Sequence, residues 1–81
     1  MITANTLNTL TTYGPKDLAR VLDKSGYSMC AFESAEFLGI TNGGQFCYKV
    51  TYFDEAGTEE VETGKVFVSY DQAEDSISAD F

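Results

Sequence analysis

The sequence predicts an α+β fold, in which two N-terminal helices pack on one face of a three- or four-stranded antiparallel β-meander. Apolar residues recur at helical spacing before residue 26, whereas apolar and polar residues alternate along most of the chain after it. Short turns rich in Gly, Asn and Asp separate the alternating runs, as in consecutive hairpins. With 81 residues, the chain is expected to form a single domain, 1–81.

Two helices are expected before the first strand. Residues 3–13 read TANTLNTLTTY, in which Thr3 can cap a helix and two leucines lie three residues apart, although the many Thr and Asn residues lower helix propensity. A second helix is expected from Lys16 to Ser25, because Pro15 suits a first helical turn and Gly26 suits a left-handed residue after the last one.

The first two strands are expected to form a hairpin. A strand pattern extends from Met29 to Thr41, and its apolar residues change face, which predicts a bulge or bend near Glu33 to Ala35. Asn42-Gly43-Gly44 is typical of a hairpin turn. The second strand, 46–52, alternates strictly, and its apolar and aromatic set is expected to face the helices.

A second turn is expected at Asp54-Glu55-Ala56-Gly57, followed by a third strand from Val61 to Tyr70 with a bulge at Gly64. The last residues, DQAEDSISADF, have two interpretations. They form either a turn and a short strand with Ile77, Ala79 and Phe81 on one face, or a frayed acidic tail.

The chain contains few groups that could carry out catalysis. It has no His, which excludes imidazole acid–base chemistry, Ser–His triads and histidine metal sites. Cys30 and Cys47 are too few for a disulfide framework and lack the close spacing of a zinc knuckle. They are interpreted as buried or strand-face thiols in a reducing compartment, with a bridge between neighbouring strands as the alternative. We therefore expect no enzyme, no catalytic or metal site and no cofactor.

The chain also has no pattern of a secretory signal and no apolar run long enough to span a membrane, so a cytoplasmic protein is expected. Thirteen acidic residues against five basic ones give a formal net charge of -8. This charge repels nucleic acids and anionic membranes and attracts basic protein surfaces. It also keeps a protein soluble without any partner, so charge alone leaves both interpretations open.

The distribution of the acids is more informative than their number. Five acids and no base lie between Asp54 and Glu62, and four acids and no base lie between Asp71 and Asp80. With two glutamates of the first strand, they predict a band across the sheet that imitates rows of phosphates and binds Lys and Arg. The alternative is that these acids form a solvated rim, which keeps the protein soluble and prevents aggregation through the strand edges.

The candidate partner-binding residues are Glu33, Glu36, Asp54, Glu55, Glu59, Glu60, Glu62, Asp71, Glu74 and Asp75. The alternation of the strands places Phe53 and Phe67 on the face opposite the expected core, so both are candidates for exposed contact residues.

A compact, acidic chain of 81 residues without catalytic groups resembles the small inhibitors that phages and mobile elements carry against host defence, of which anti-CRISPR proteins are the broadest group. It is also similar to uracil-DNA glycosylase inhibitors, which are acidic and combine two helices with an antiparallel sheet. Glu33-Ser34, before an apolar run, looks like the Glu-Ser element with which those inhibitors reach the DNA cleft of the enzyme. The resemblance implies stoichiometric inhibition without a cofactor.

The partner expected from this resemblance is the basic surface of a nucleic-acid-binding protein, such as a CRISPR effector complex, a restriction enzyme or a repair enzyme. Direct binding of nucleic acid or of a membrane is not expected. The alternative is a non-catalytic structural or assembly module that self-associates through an open sheet edge or through the face that carries Phe53 and Phe67. Either a monomer or a weak homodimer is expected.

Overall fold

The computed structural model describes residues 3–28, 30–53 and 62–81, and within these ranges two helices precede a four-stranded antiparallel sheet. The strands lie in chain order, so the sheet is a meander. This architecture confirms the predicted α+β fold, with four strands rather than three. The elements are α1 (Ala4–Thr11), α2 (Pro15–Lys24), β1 (Ser34–Ile40), β2 (Phe46–Thr51), β3 (Thr63–Asp71) and β4 (Ser76–Asp80).

Local capping determines where both helices begin. The Thr3 hydroxyl accepts a hydrogen bond from the Thr6 N–H at 3.1 Å, which satisfies one of the free amides at the start of α1. α2 begins at Pro15, one residue before the predicted start, and the Asp17 carboxylate accepts a hydrogen bond from the Gly14 N–H at 3.0 Å. The negative charge of Asp17 in the first turn also stabilises the positive end of the helix dipole.

α2 ends in a Schellman motif. The Tyr27 N–H donates to the Leu22 carbonyl at 2.9 Å, and the Gly26 N–H donates to the Asp23 carbonyl at 3.2 Å. Gly26 has a φ of +101°, a conformation that residues with a Cβ rarely adopt. The predicted role of Gly26 is therefore confirmed.

The core lies between the two helices and one face of the sheet. The helices contribute three fully buried leucines, which pack against alternate residues of the strands. These core residues are Leu10, Leu18 and Leu22 from the helices, and Phe46, Tyr48, Val50, Val66, Val68 and Ala79 from the sheet. The predicted alternation of the second strand and the inward position of Ala79 are both confirmed, so the C-terminal segment is a strand and not a frayed tail.

Tyr48 connects the sheet to the junction between the helices. Its side chain is 1% exposed, and its hydroxyl donates to the Leu10 carbonyl at 2.6 Å and accepts from the Tyr13 N–H at 3.1 Å. The Leu10 carbonyl belongs to the last turn of α1, where helical partners are missing. A side chain of β2 therefore caps α1 and also binds the segment that leads into α2.

The first strand is shorter than predicted, and it contains a bulge in addition to the predicted bend. The predicted bend is present at Glu33. A regular strand would place Phe32 and Phe37 on opposite faces, and the bend allows both side chains to pack against the core. β1 begins only after this bend. A bulge that was not predicted lies at Leu38, since Phe37 pairs with Tyr48 while Gly39, with a φ of +145°, pairs with Cys47.

The predicted bulge at Gly64 is wrong. Gly64 pairs with Val50 in an uninterrupted register between β2 and β3. A Cβ at this position would lie 3.0 Å from the Tyr52 hydroxyl oxygen, so the glycine makes room for the Tyr52 ring on the helix-facing side of the sheet. The break in the apolar pattern reflects a missing side chain and not a change in register.

The turns of the meander are described in part. The Asn42–Gly44 turn is confirmed, with the Thr41 N–H donating to the Gln45 carbonyl at 2.8 Å and Gly44 at a φ of +81°. The predicted turn at Asp54–Gly57, together with Met29 and Val61, lies outside the described residues.

The free edge of β4 is covered by the C-terminal end of α2. The Ser25 hydroxyl accepts from the Ala79 N–H at 2.9 Å and donates to the Val21 carbonyl at 2.9 Å. The Tyr27 hydroxyl donates to the Asp80 carboxylate at 2.5 Å. These contacts satisfy an edge amide that would otherwise be available for pairing with another strand.

We predict that Tyr48→Phe lowers the free energy of unfolding by about 1–3 kcal/mol, because the Leu10 carbonyl and the Tyr13 N–H both lose their partner. Urea denaturation of the variant and the parent measures this difference. Tyr27→Phe removes an exposed hydroxyl and serves as the control, with a smaller expected loss. Equal losses in the two variants would contradict the role assigned to Tyr48.

We predict that Tyr27→Phe raises the pKa of Asp80. In the folded protein, the hydrogen bond from Tyr27 and then that from the Phe81 N–H hold this pKa below its ordinary value. The ionised carboxylate therefore contributes stability above the unfolded pKa of about 3.9, and this contribution is lost as the pH falls through the lower folded pKa. An NMR titration of the Asp80 carboxyl carbon measures the change. Tyr70→Phe is the control, and an unchanged Asp80 titration in Tyr27→Phe would refute the prediction.

Candidate protein-interaction surface

The β3–β4 turn presents three exposed carboxylates at one end of the sheet. Asp71 ends β3, and Glu74 and Asp75 lie in the four-residue turn that precedes β4. All three were predicted as partner-binding residues, and the fold brings them together within one hairpin. We refer to Asp71, Glu74 and Asp75 as the acidic hairpin.

Hydrogen bonds hold the acidic hairpin in one conformation. The Asp71 carboxylate accepts from the Ala73 N–H at 2.9 Å and from the Glu74 N–H at 3.4 Å, as in an Asx-turn. Asp75 has a φ of +50°, which Asp tolerates better than most residues. Its carboxylate accepts from the Tyr70 hydroxyl at 2.5 Å. This hydrogen bond is the main reason why the pKa of Tyr70 is raised, so the hydroxyl stays protonated and continues to donate.

Glu33 and Glu62 lie at the opposite end of the sheet. The Glu33 N–H donates to the Thr51 carbonyl at 2.7 Å, and the Tyr52 N–H donates to the Glu62 carbonyl at 2.9 Å. Both glutamates therefore border the end of β2, and both side chains are exposed. Asp54, Glu55, Glu59 and Glu60 were also predicted as partner-binding residues and lie outside the described residues.

The face of the sheet opposite the helices, here called the open face, has a different charge pattern. Directly paired residues share a face, so Glu36, Lys49 and Lys65 form one row across β1, β2 and β3. The described candidate acids thus lie at the two ends of the sheet and on its first strand. Two of the three residues of this row are lysines.

A groove of about 430 Å³ lies between α2 and the acidic hairpin. One wall carries Arg20 and Lys24, and the other carries Asp75 and Ser76. Arg20 also forms an ion pair with Asp17 at 3.6 Å, in which the Arg20 side chain is largely exposed and the Asp17 side chain is about half exposed. Arg20 and Lys24 therefore line the same groove as Asp75 of the acidic hairpin, and their positive charge partly compensates that carboxylate.

Several apolar side chains are accessible on and beside the sheet. Phe53, which follows β2, is 55% exposed, and this confirms the expectation for that residue. Phe67 lies on the open face as expected and is half-buried. Sequence reasoning missed Leu38 and Ile40, which are 49% and 57% exposed. The one sequence feature that could have indicated their exposure is their position on an edge strand beyond a bend.

The charged side chains of the described residues lie at the surface. Within residues 3–28, 30–53 and 62–81, no Asp, Glu, Lys or Arg side chain is buried, and no three Cys, Asp or Glu residues cluster as a metal site would require. Neither described helix is long and apolar enough to cross a membrane. The chain matches no protein-family model, no curated protein and no solved structure.

We predict that Asp71→Asn preserves the acidic hairpin and that Asp71→Ala loosens it. Asn retains a side-chain oxygen that can accept from the Ala73 N–H, whereas Ala does not. Hydrogen exchange of the Ala73 amide, followed by NMR, should be slow in the parent and in Asp71→Asn, and faster in Asp71→Ala. The same exchange rate in all three proteins would contradict the Asx-turn.

Proposed function

We propose that this chain is a stoichiometric protein inhibitor of the anti-CRISPR type, which binds a basic nucleic-acid channel and excludes DNA from it. Its target is a defence or repair protein, such as a CRISPR effector complex, a restriction enzyme or a repair enzyme. The acidic hairpin carries this proposal, because it is an exposed group of carboxylates on an acidic chain, and hydrogen bonds within the hairpin hold those of Asp71 and Asp75. The proposed site of action is the cytoplasm of the host cell.

The order of the hairpin supports this function physically. Carboxylates that are held before binding lose little conformational freedom when they meet a partner, so more of the interaction energy is available for affinity. Lys and Arg side chains positioned for phosphates can form charge-assisted hydrogen bonds with such carboxylates. The net charge of -8 further speeds the approach to a basic cleft.

The mechanism needs no chemical step. One copy occupies the channel that DNA would use, and the like charge of the inhibitor and DNA makes their binding mutually exclusive. Glu33 and Glu62, at the other end of the sheet, add a second acidic contact for a target that spans the molecule, whose longest extent is 45 Å.

A second candidate function is a non-catalytic assembly module that self-associates through its sheet. The exposure of Phe53 and Leu38, together with Phe67 on the open face, favours this candidate. Because Ser25 and Tyr27 cover the edge of β4, such a module would associate through the open face or through β1. A concentration-dependent dimer in sedimentation experiments would support it, and a monomer at high concentration would exclude it.

The experiment that tests the proposed function is a pull-down from bacterial lysates with the tagged chain, at low and high salt and with competitor DNA. A nucleic-acid-handling protein that is lost when DNA is added supports the proposal once the purified pair reproduces the competition. A partner that is retained against DNA contradicts exclusion of DNA. Recovery of nothing except the chain itself contradicts an inhibitor of these targets.

We predict that Asp71→Asn/Glu74→Gln/Asp75→Asn weakens binding to the recovered partner by about tenfold or more at low salt, because three charge-assisted contacts are lost. The control Asn5→Lys/Asn8→Lys/Asp23→Asn changes the net charge equally at exposed helix positions, and it should lose much less affinity. Equal effects would show that only the overall charge matters. A parallel variant tests the remaining cluster by neutralising Asp54, Glu55, Glu59, Glu60 and Glu62.

A further inference from the structure

Two of the five cations of the chain lie directly opposite each other on the open face. Lys49 of β2 pairs with Lys65 of β3, and both side chains are exposed. The Cβ atoms of such a cross-strand pair lie about 4.5–5.5 Å apart. The two ammonium groups can therefore reach the same small anionic group.

This pairing disfavours folding, because like charges directly opposite in a sheet repel each other. Glu36 lies beside Lys49 on the far side from Lys65, so it can offset only part of the repulsion. Among the residues that the structure describes, the single ion pair is the one between Arg20 and Asp17. In this part of the chain, the lysine pair thus has no carboxylate in ion-pair contact.

The surroundings of the lysine pair are those of a contact surface. On one side lies the row formed by Cys47, Phe67 and Asp80, in which the Asp80 carboxylate accepts a hydrogen bond from the Tyr27 hydroxyl. On the other side lie the hydroxyl groups of Thr51 and Thr63. Cys47 is 8% exposed, while Phe67 retains partial exposure. A cationic centre thus has an aromatic ring on one side and hydroxyl groups on the other.

We propose that the open face is a docking surface for a polypeptide segment that carries a carboxylate next to an apolar side chain. The carboxylate lies between Lys49 and Lys65, and the apolar side chain packs against Phe67. Charge complementarity identifies this occupant, because the pair attracts one carboxylate strongly and is too small to neutralise a row of phosphates. Nucleic acid is disfavoured, because the remaining charge of the chain repels a polyanion.

The open face is separate from the acidic hairpin. Its lysine pair attracts negatively charged groups, whereas the hairpin attracts positively charged ones. The hairpin acids lie at the end of the sheet, whereas the lysine pair lies in the middle of the open face. The inference therefore does not depend on the proposed inhibition of a basic target. A chain with both surfaces can bind a basic and an acidic partner at the same time.

The test is an NMR titration of the full ¹⁵N-labelled chain with three probes. They are the end-blocked peptide GSGLEELGSG, the matched peptide GSGLQQLGSG and the single-stranded oligonucleotide dT12. We expect the glutamate peptide to shift the amide signals around Lys49, Lys65 and Phe67, and to bind at millimolar or lower concentrations. Lys49→Gln/Lys65→Gln should weaken this binding by about fivefold or more, and the control Lys16→Gln/Lys24→Gln should leave it within about twofold.

Each outcome decides the inference. Equal binding of the glutamine peptide would show an apolar contact that does not use the lysines, and it would overturn the proposal. Binding of the glutamate peptide at α2, tighter binding of dT12 at the lysine pair, or no binding of any probe would also overturn it. Unfolding cannot imitate the expected loss, because Lys49→Gln/Lys65→Gln removes a repulsion, and a urea titration should show a stability equal to or above that of the parent.

Discussion

The hydroxyl of Tyr48 is the contact on which the arrangement of helices and sheet depends. It lies in the core, and it binds one backbone carbonyl at the end of α1 and one backbone amide before α2. α1 is rich in Thr and Asn and is a weak helix by itself, so it relies on this tertiary contact. Because Tyr48 belongs to a central strand, the same residue also sets how the helices lie on the sheet.

Strand register separates the charges of the molecule into distinct surfaces. The acidic residues of the β3–β4 hairpin lie at one end of the sheet, and Glu33 and Glu62 lie at the other. Between them, the open face carries a row of one glutamate and two lysines. A chain that is strongly acidic overall therefore presents local surfaces of both signs, and local charge determines which groups can bind at each one.

Much of the fold could be predicted because strong local signals coincide with it. Thr3, Pro15 and Gly26 determine helix ends through their own backbone and side-chain chemistry, and each was recognised. The bulge at Leu38 was missed, and a bulge at Gly64 was predicted wrongly. In both cases the deciding contact comes from another strand, since Gly39 pairs with Cys47 and Gly64 faces the Tyr52 ring. Of the candidate site, Asp71, Glu74 and Asp75 were recognisable because they are adjacent in sequence.

The sequence by itself determined the fold class, the acidic character and the grouping of the hairpin acids, since all three depend on composition and on neighbours within a few residues. Only the tertiary structure decided that Lys49 and Lys65 meet and that Ser25 and Tyr27 cover the edge of β4. Lys49 and Lys65 lie on different strands, so a register shift of one residue would place one of them on the other face. Pairing register and helix docking are cooperative properties of the packed core, and no local pattern specifies them.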